Sequence, residues 1–117
     1  MNDLLTEDFL VTMNSKANPL QVIGFILDTH ESKGFAHFIR FEKKGTTVEF
    51  MFGPPEFQIE MLIYTNKGRF AFRDLLMNKD IAAWVTTNRY IPTAERKVRD
   101  EILWFVRLLV YSLPYVE

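Results

Sequence analysis

The sequence predicts an α+β fold: a four-stranded antiparallel meander over about residues 35–73, flanked by two helices before it and two after. Three observations lead there. Short aromatic and aliphatic runs at about 35–42, 46–52, 57–64 and 69–73 are separated by the turn-forming groups Lys43-Lys44-Gly45, Gly53-Pro54-Pro55 and Asn66-Lys67-Gly68. The segments on either side carry apolar residues at helical spacing instead. The separators are too short for crossover connections, so neighbouring runs pair antiparallel.

Residues 3–14 fit a short helix, with Asp3 as cap and Leu5, Phe9 and Met13 on one stripe. Asn18-Pro19 starts a second helix, since asparagine accepts from orphan amides and proline suits the first helical position. That helix is expected to run to Gly34, in a left-handed cap. Its rival is a strand over 21–27, favoured by Val22, Ile23, Phe25 and Ile26.

In the meander, two-residue loops at Lys44-Gly45 and Asn66-Lys67 put Phe35, Ile39, Phe41, Val48, Phe50, Phe52, Ile59, Met61, Ile63, Phe70 and Phe72 on one face. The same register sets Arg40 against Glu49 and Glu60 against Arg73. Three-residue loops ending in glycine suit the turn sequences but mix the faces. Burial of many rings favours the first register. The second face still carries Ala36, Phe38, Met51, Leu62, Tyr64 and Ala71. It is expected to be covered, by helices of this chain or by another chain.

Asp74 is placed to cap a helix through residues 75–87, with Met77, Ile81, Trp84 and Val85 as its stripe. Thr93 caps the last helix, with Glu95 in its first turn and Pro114 at its end. Val98, Ile102, Phe105, Leu109 and Leu113 form its core stripe. From Ile102 to Leu113 it is apolar nearly all round, which predicts burial on more than one side. Trp104, Leu108 and Tyr111 are the residues expected at a contact with a second chain.

At 117 residues the chain is read as a single domain, residues 1–117. Phenylalanine supplies 11 residues, so rings must be buried or offered to a partner. The absence of cysteine excludes disulfides and thiol chemistry. No signal-like start is seen, so a cytoplasmic location is expected, and the apolar part of the last helix is too short to span a bilayer. Net charge is −1 and gives no global pull toward nucleic acid.

No catalytic, metal or cofactor set stands out. His30 and His37 lie on separate predicted elements, and metal ligation needs three or four convergent donors. Glu49 and Glu60 read as an ion-pair ladder with Arg40 and Arg73 rather than an acid–base pair. Arg89, Tyr90, Arg96, Lys97 and Arg99 form a basic cluster able to hold phosphates. Its i, i+4 pairing with Glu95, Asp100 and Glu101 favours a solvated helix over a nucleic-acid site.

The functional expectation is a non-enzymatic protein-interaction domain. A small inhibitor of immunity type that blocks a toxin is one form, and a homodimer another. Glu7, Asp8, Glu31, Glu56 and Glu60 are its candidate contacts to a basic partner. The alternatives are a small-ligand pocket between sheet and last helix, lined by Phe38, Met51, Leu62, Tyr64 and Trp104, and an enzyme of unrecognised type.

Overall fold

The computed structural model describes residues 2–15, 18–54, 56–91 and 97–117, with side chains from Leu5 onward. Helix α1 spans Asn2–Asn14 and the one-turn helix α2 spans Pro19–Val22. Strands β1 (Ile26–Lys33), β2 (Ala36–Lys43), β3 (Thr46–Phe52), β4 (Glu60–Thr65) and β5 (Gly68–Phe70) follow. Helices α3 (Phe72–Leu75), α4 (Lys79–Thr87) and α5 (Val98–Val116) complete the chain. The α+β class holds. The antiparallel sheet has five strands in the order β1-β2-β3-β4-β5.

The added strand comes from the expected second helix. Its start is as read: Asn18 Oδ1 accepts the Leu20 N–H at 2.7 Å, while its Nδ2 donates to Thr12 O and Met13 O at the end of α1. The stop comes ten residues earlier than expected. Gly24, at φ +96°, takes the left-handed position. Gly24 N–H reaches Gln21 O at 3.0 Å and Phe25 N–H reaches Leu20 O at 2.9 Å. These two bonds, with Phe25 and Leu20 both buried, make a Schellman stop. Released there, residues 26–33 pair with β2 through a two-residue turn at Gly34-Phe35, in which Gly34 has φ +62°. Backbone pairing along a whole neighbouring strand outweighs the weak helical preference of this segment.

The two-residue register is the one observed. Lys43 pairs Thr46, Arg40 pairs Glu49, His37 pairs Phe52, and Thr65 pairs Gly68. Lys44 and Gly45 both have positive φ, 45° and 85°, as a type I′ hairpin requires. A lysine in that region is strained, so Lys44→Asn is expected to stabilise the protein by about 1 kcal/mol. The transition midpoint in urea measures it.

Ile39, Phe41, Val48, Phe50, Phe52, Ile59, Met61 and Ile63 are buried on one face, against Phe9 and Met13 of α1 and Ile102, Val106 and Leu109 of α5. Phe9 and Phe52 stack at 5.1 Å. Several expectations are corrected. Phe35 sits at the β1–β2 turn, 80 % exposed. Glu60 stands opposite Met51, and Arg73 lies in α3, so they form no ladder. Asp74 accepts from the Ala71 N–H at 2.7 Å within α3, whereas Asn78 caps α4 by accepting from Asp80 and Ile81. Met77 is exposed rather than on the α4 stripe. Pro114 lies inside α5. Near a helix end it forfeits one bond without breaking the turn. Thr93 and Glu95, and the side chain of Asp3, lie outside the described residues.

Candidate functional site

An open groove of about 1080 Å³ runs along α5 on the helical side of the molecule. Its floor is the α5 surface bearing Leu103, Arg107 and Val110, spaced i, i+4, i+7 and therefore on one face. Pro19, Val22 and Ile23 form one wall, set there by the early stop of α2. Trp84, Asn88, Arg89, Tyr90 and Ile91, from α4 and the chain leaving it, form the other. Val22 (79 %) and Ile91 (78 %) stand exposed on opposite rims.

The second wall is held by its own bonds. Trp84 stacks on Tyr111 at 5.6 Å and tilts against Trp104 at 6.0 Å, and Phe72 supports Trp104 from behind at 6.2 Å. Asn88 ties the polar tips together. Its carbonyl accepts the Trp104 Nε1–H at 2.6 Å, and its Oδ1 accepts from Arg107 Nη2 at 3.2 Å. The Arg107 guanidinium lies 5.7 Å from the Trp84 ring centre, within cation–π range. At the end of α5 the Tyr115 hydroxyl titrates above its ordinary value, first because it bonds to Tyr111 and then through burial. The lining offers apolar area, aromatic faces and two guanidinium groups. Among the described residues Asp100 is its single carboxylate.

Two expected sets converge here. Trp104 and Tyr111, from the apolar set, meet Arg89 and Tyr90, from the basic cluster. The rest lie elsewhere. Leu108 is fully buried in the core and offers nothing to a partner. Lys97 begins α5, and the Arg99 N–H donates to Asp8 Oδ2 at 3.4 Å, beside α1. Arg96 lies outside the described residues.

Phe38, Met51, Leu62 and Tyr64 are on the opposite sheet face, half-buried and apart from the core cluster. The structure therefore does not bring them to Trp104, and the expected pocket between sheet and last helix does not form. The expected cover is not seen either: among the described residues the helices pack on the other face. That open face instead covers itself in part. Arg40 Nε donates to Glu49 Oε2 at 2.6 Å, the guanidinium lies 5.8 Å from the Tyr64 ring, and Lys33 sits 5.6 Å from the Phe38 ring. Glu49 holds Arg40 more firmly in its charged form, by hydrogen bonding first and charge second.

The acidic set is scattered. Glu31 and Glu60 flank Phe38 and Met51 in one cross-strand row, Glu7 and Asp8 are on α1, and Glu56 is in the turn after β3.

One contact escaped sequence reasoning. His30 Nε2 and His37 Nδ1 lie 3.2 Å apart across β1 and β2, with Ser32 Oγ 3.1 Å from the same His37 nitrogen. A hairpin centred on Gly34-Phe35 would have shown it, since it sets Ser32 opposite His37 and His30 diagonal to it. Burial first, and His30 second, hold His37 below its ordinary value of 6.5. The unfolded chain then binds the proton more readily than the folded one. Stability is full above about pH 6.5 and falls as pH drops below it. The melting midpoint is expected to fall between pH 7.5 and 5.5, and less so in His37→Asn. Among the described residues no group of three or more histidines or carboxylates is placed to hold a metal, and no helix is long and apolar enough to cross a membrane.

No family model matches this chain, and neither do any curated proteins or solved structures.

Proposed function

We propose that this chain is a non-enzymatic protein-interaction domain that receives a segment of its partner in the groove along α5. The observation that carries this is the groove itself. Its wall is built from tryptophan, tyrosine and arginine, the residue types that dominate binding energy at protein interfaces. The groove is open to solvent along its length rather than an enclosed cavity of the kind that buries most of a small ligand's surface. The Trp104 and Arg107 tips are bonded to Asn88, so little side-chain freedom is lost when a partner arrives.

An immunity-type inhibitor remains one form of such a domain. The toxin-blocking version draws less support from placement, because Glu7, Asp8, Glu31, Glu56 and Glu60 form no common patch for a basic partner.

The test is selection from a displayed peptide library, with binding of the enriched peptides then measured to variants. Leu103 and Val110 are 41 % and 48 % exposed, so glutamate at either site leaves the core intact. Leu103→Glu and Val110→Glu are each expected to weaken the selected peptides roughly tenfold or more, while Phe35→Glu at the distant hairpin leaves binding unchanged. Peptides that bind all three variants equally well would place the docking site elsewhere.

A further inference from the structure

We infer that the segment docking in the groove is an acidic amphipathic helix, whose apolar stripe lies on Leu103 and Val110 and whose carboxylates reach Arg89 and Arg107. This rests on the reading of the groove as a protein-docking site and adds the chemistry of its occupant.

The charge argument comes first. Arg89 and Arg107 are both exposed on the lining, and among the described residues neither has a carboxylate within ion-pair distance. The ion pair that is present, Arg40–Glu49, lies on the far face of the sheet. Asp100 is seven residues from Arg107 along α5, about 10 Å at the helical rise, and marks the other end of the groove. Among the described residues Arg107 thus stands apart from the single carboxylate of the lining, and a partner's carboxylates belong at Arg107 and at the exposed Arg89 on the α4 wall.

Arg107 is also aimed before anything binds. One nitrogen is committed to Asn88 Oδ1 and the plane is held near Trp84, which leaves its other donors for a carboxylate. A guanidinium oriented in this way loses less freedom on forming a charged hydrogen bond than a freely rotating one.

The backbone argument selects the helix. The floor and much of the walls are helical, and the backbone groups of a helix are bonded internally. An extended segment laid there would find few main-chain partners for its own N–H and C=O groups, whereas a helix satisfies its own. A proline-rich segment needs donors for its free carbonyls, and the Trp104 N–H is already given to Asn88. The ridge at residues 103, 107 and 110 accepts a facing stripe of i, i+3 or i+4, and i+7 residues, as two packed helices do.

The experiment is a selection from a library of helical peptides randomised at every position, run on the wild-type chain and on the Arg89→Glu/Arg107→Glu variant. Peptides enriched on the wild type are expected to carry apolar anchors at i, i+3 or i+4, and i+7, flanked by aspartate or glutamate. Their affinity is expected to fall roughly tenfold or more on the double variant and to weaken as salt rises from about 50 to 300 mM. The double variant is expected to enrich lysine or arginine at the same flanking positions. Arg107→Gln, which keeps a donor for Asn88, replaces the glutamate should the melting midpoint of the double variant fall.

Neutral, basic or proline-rich peptides that still lose binding to Leu103→Glu would overturn the acidic helix and leave the docking groove standing. A molar mass that rises with concentration, and is returned to monomer by Leu103→Glu, would give the groove to a second copy and also overturn it. A library that enriches nothing on the wild type would sink both readings.

Discussion

Phe52→Ala is expected to destabilise the protein by about 3–5 kcal/mol, the range for removing a fully buried ring. Phe52 is completely buried and lies face to face with Phe9 at 5.1 Å, while Phe57 meets its edge at 5.9 Å. It joins three parts of the chain: β3, α1 and the turn that holds Glu56 and Phe57. Phe57 itself has φ +51°, a costly position for an aromatic residue, and its N–H bonds to Gly53 O at 2.9 Å. Collapse around the missing ring must therefore move a strained turn as well as a helix, which argues for the upper part of the range. Denaturant unfolding of wild type and variant measures the loss. Phe35→Ala is the control, because that ring is 80 % exposed and its removal is expected to cost no more than about 0.5 kcal/mol. A loss below about 1 kcal/mol for Phe52→Ala would mean that α1 does not dock as described.

Gly53→Ala is expected to cost about 1–3 kcal/mol although it adds a single methyl group. A Cβ at residue 53 would lie 2.5 Å from Ala36 Cα, 2.8 Å from Ala36 Cβ and 3.1 Å from Phe35 O. Two of those three atoms are backbone, so no rotamer change relieves the contact. The strand pair must separate at the end where the β1–β2 hairpin begins. Ala36→Gly in the same chain removes the Cβ contact but leaves the one to Cα. It is therefore expected to return part of the loss and not all of it. Full rescue would assign the clash to side chains and refute the close backbone approach.

The sheet was readable in the sequence because ring burial and hairpin geometry had to agree. Phe41, Val48, Phe50 and Ile63 share a face in one register alone, and a one-residue slip would bring them out to water. The β1 strand was not readable for the same reason that α2 was. Asn18-Pro19 is a true helix start, and nothing local to Gly24 distinguishes a stop there from one at Gly34. That choice was settled by the buried pair Leu20 and Phe25 and by the partner strand β2, both outcomes of packing.

The candidate groove was half legible. Large rings and a basic cluster pointed separately to Trp104, Tyr111, Arg89 and Tyr90. Val22 and Ile23 could not be placed on its wall until the end of α2 was known. Arg107 interrupts the apolar run of α5, but its use depends on Asn88, nineteen residues away. Leu108 was misplaced because apolar residues on every side of α5 hide its phase, and the helix turns Leu103 and Val110 outward instead.

Every strand pairs with its immediate neighbour along the chain, so the sheet can zip up from hairpins that need no distant partner. Its greasy side has no such local cover. It depends on α1, synthesised first, meeting α5, whose residues 98–116 emerge from the ribosome some ninety positions later. During translation the sheet is complete before α5 is made, so the part of its apolar face that α5 covers stays open until residues 98–116 follow.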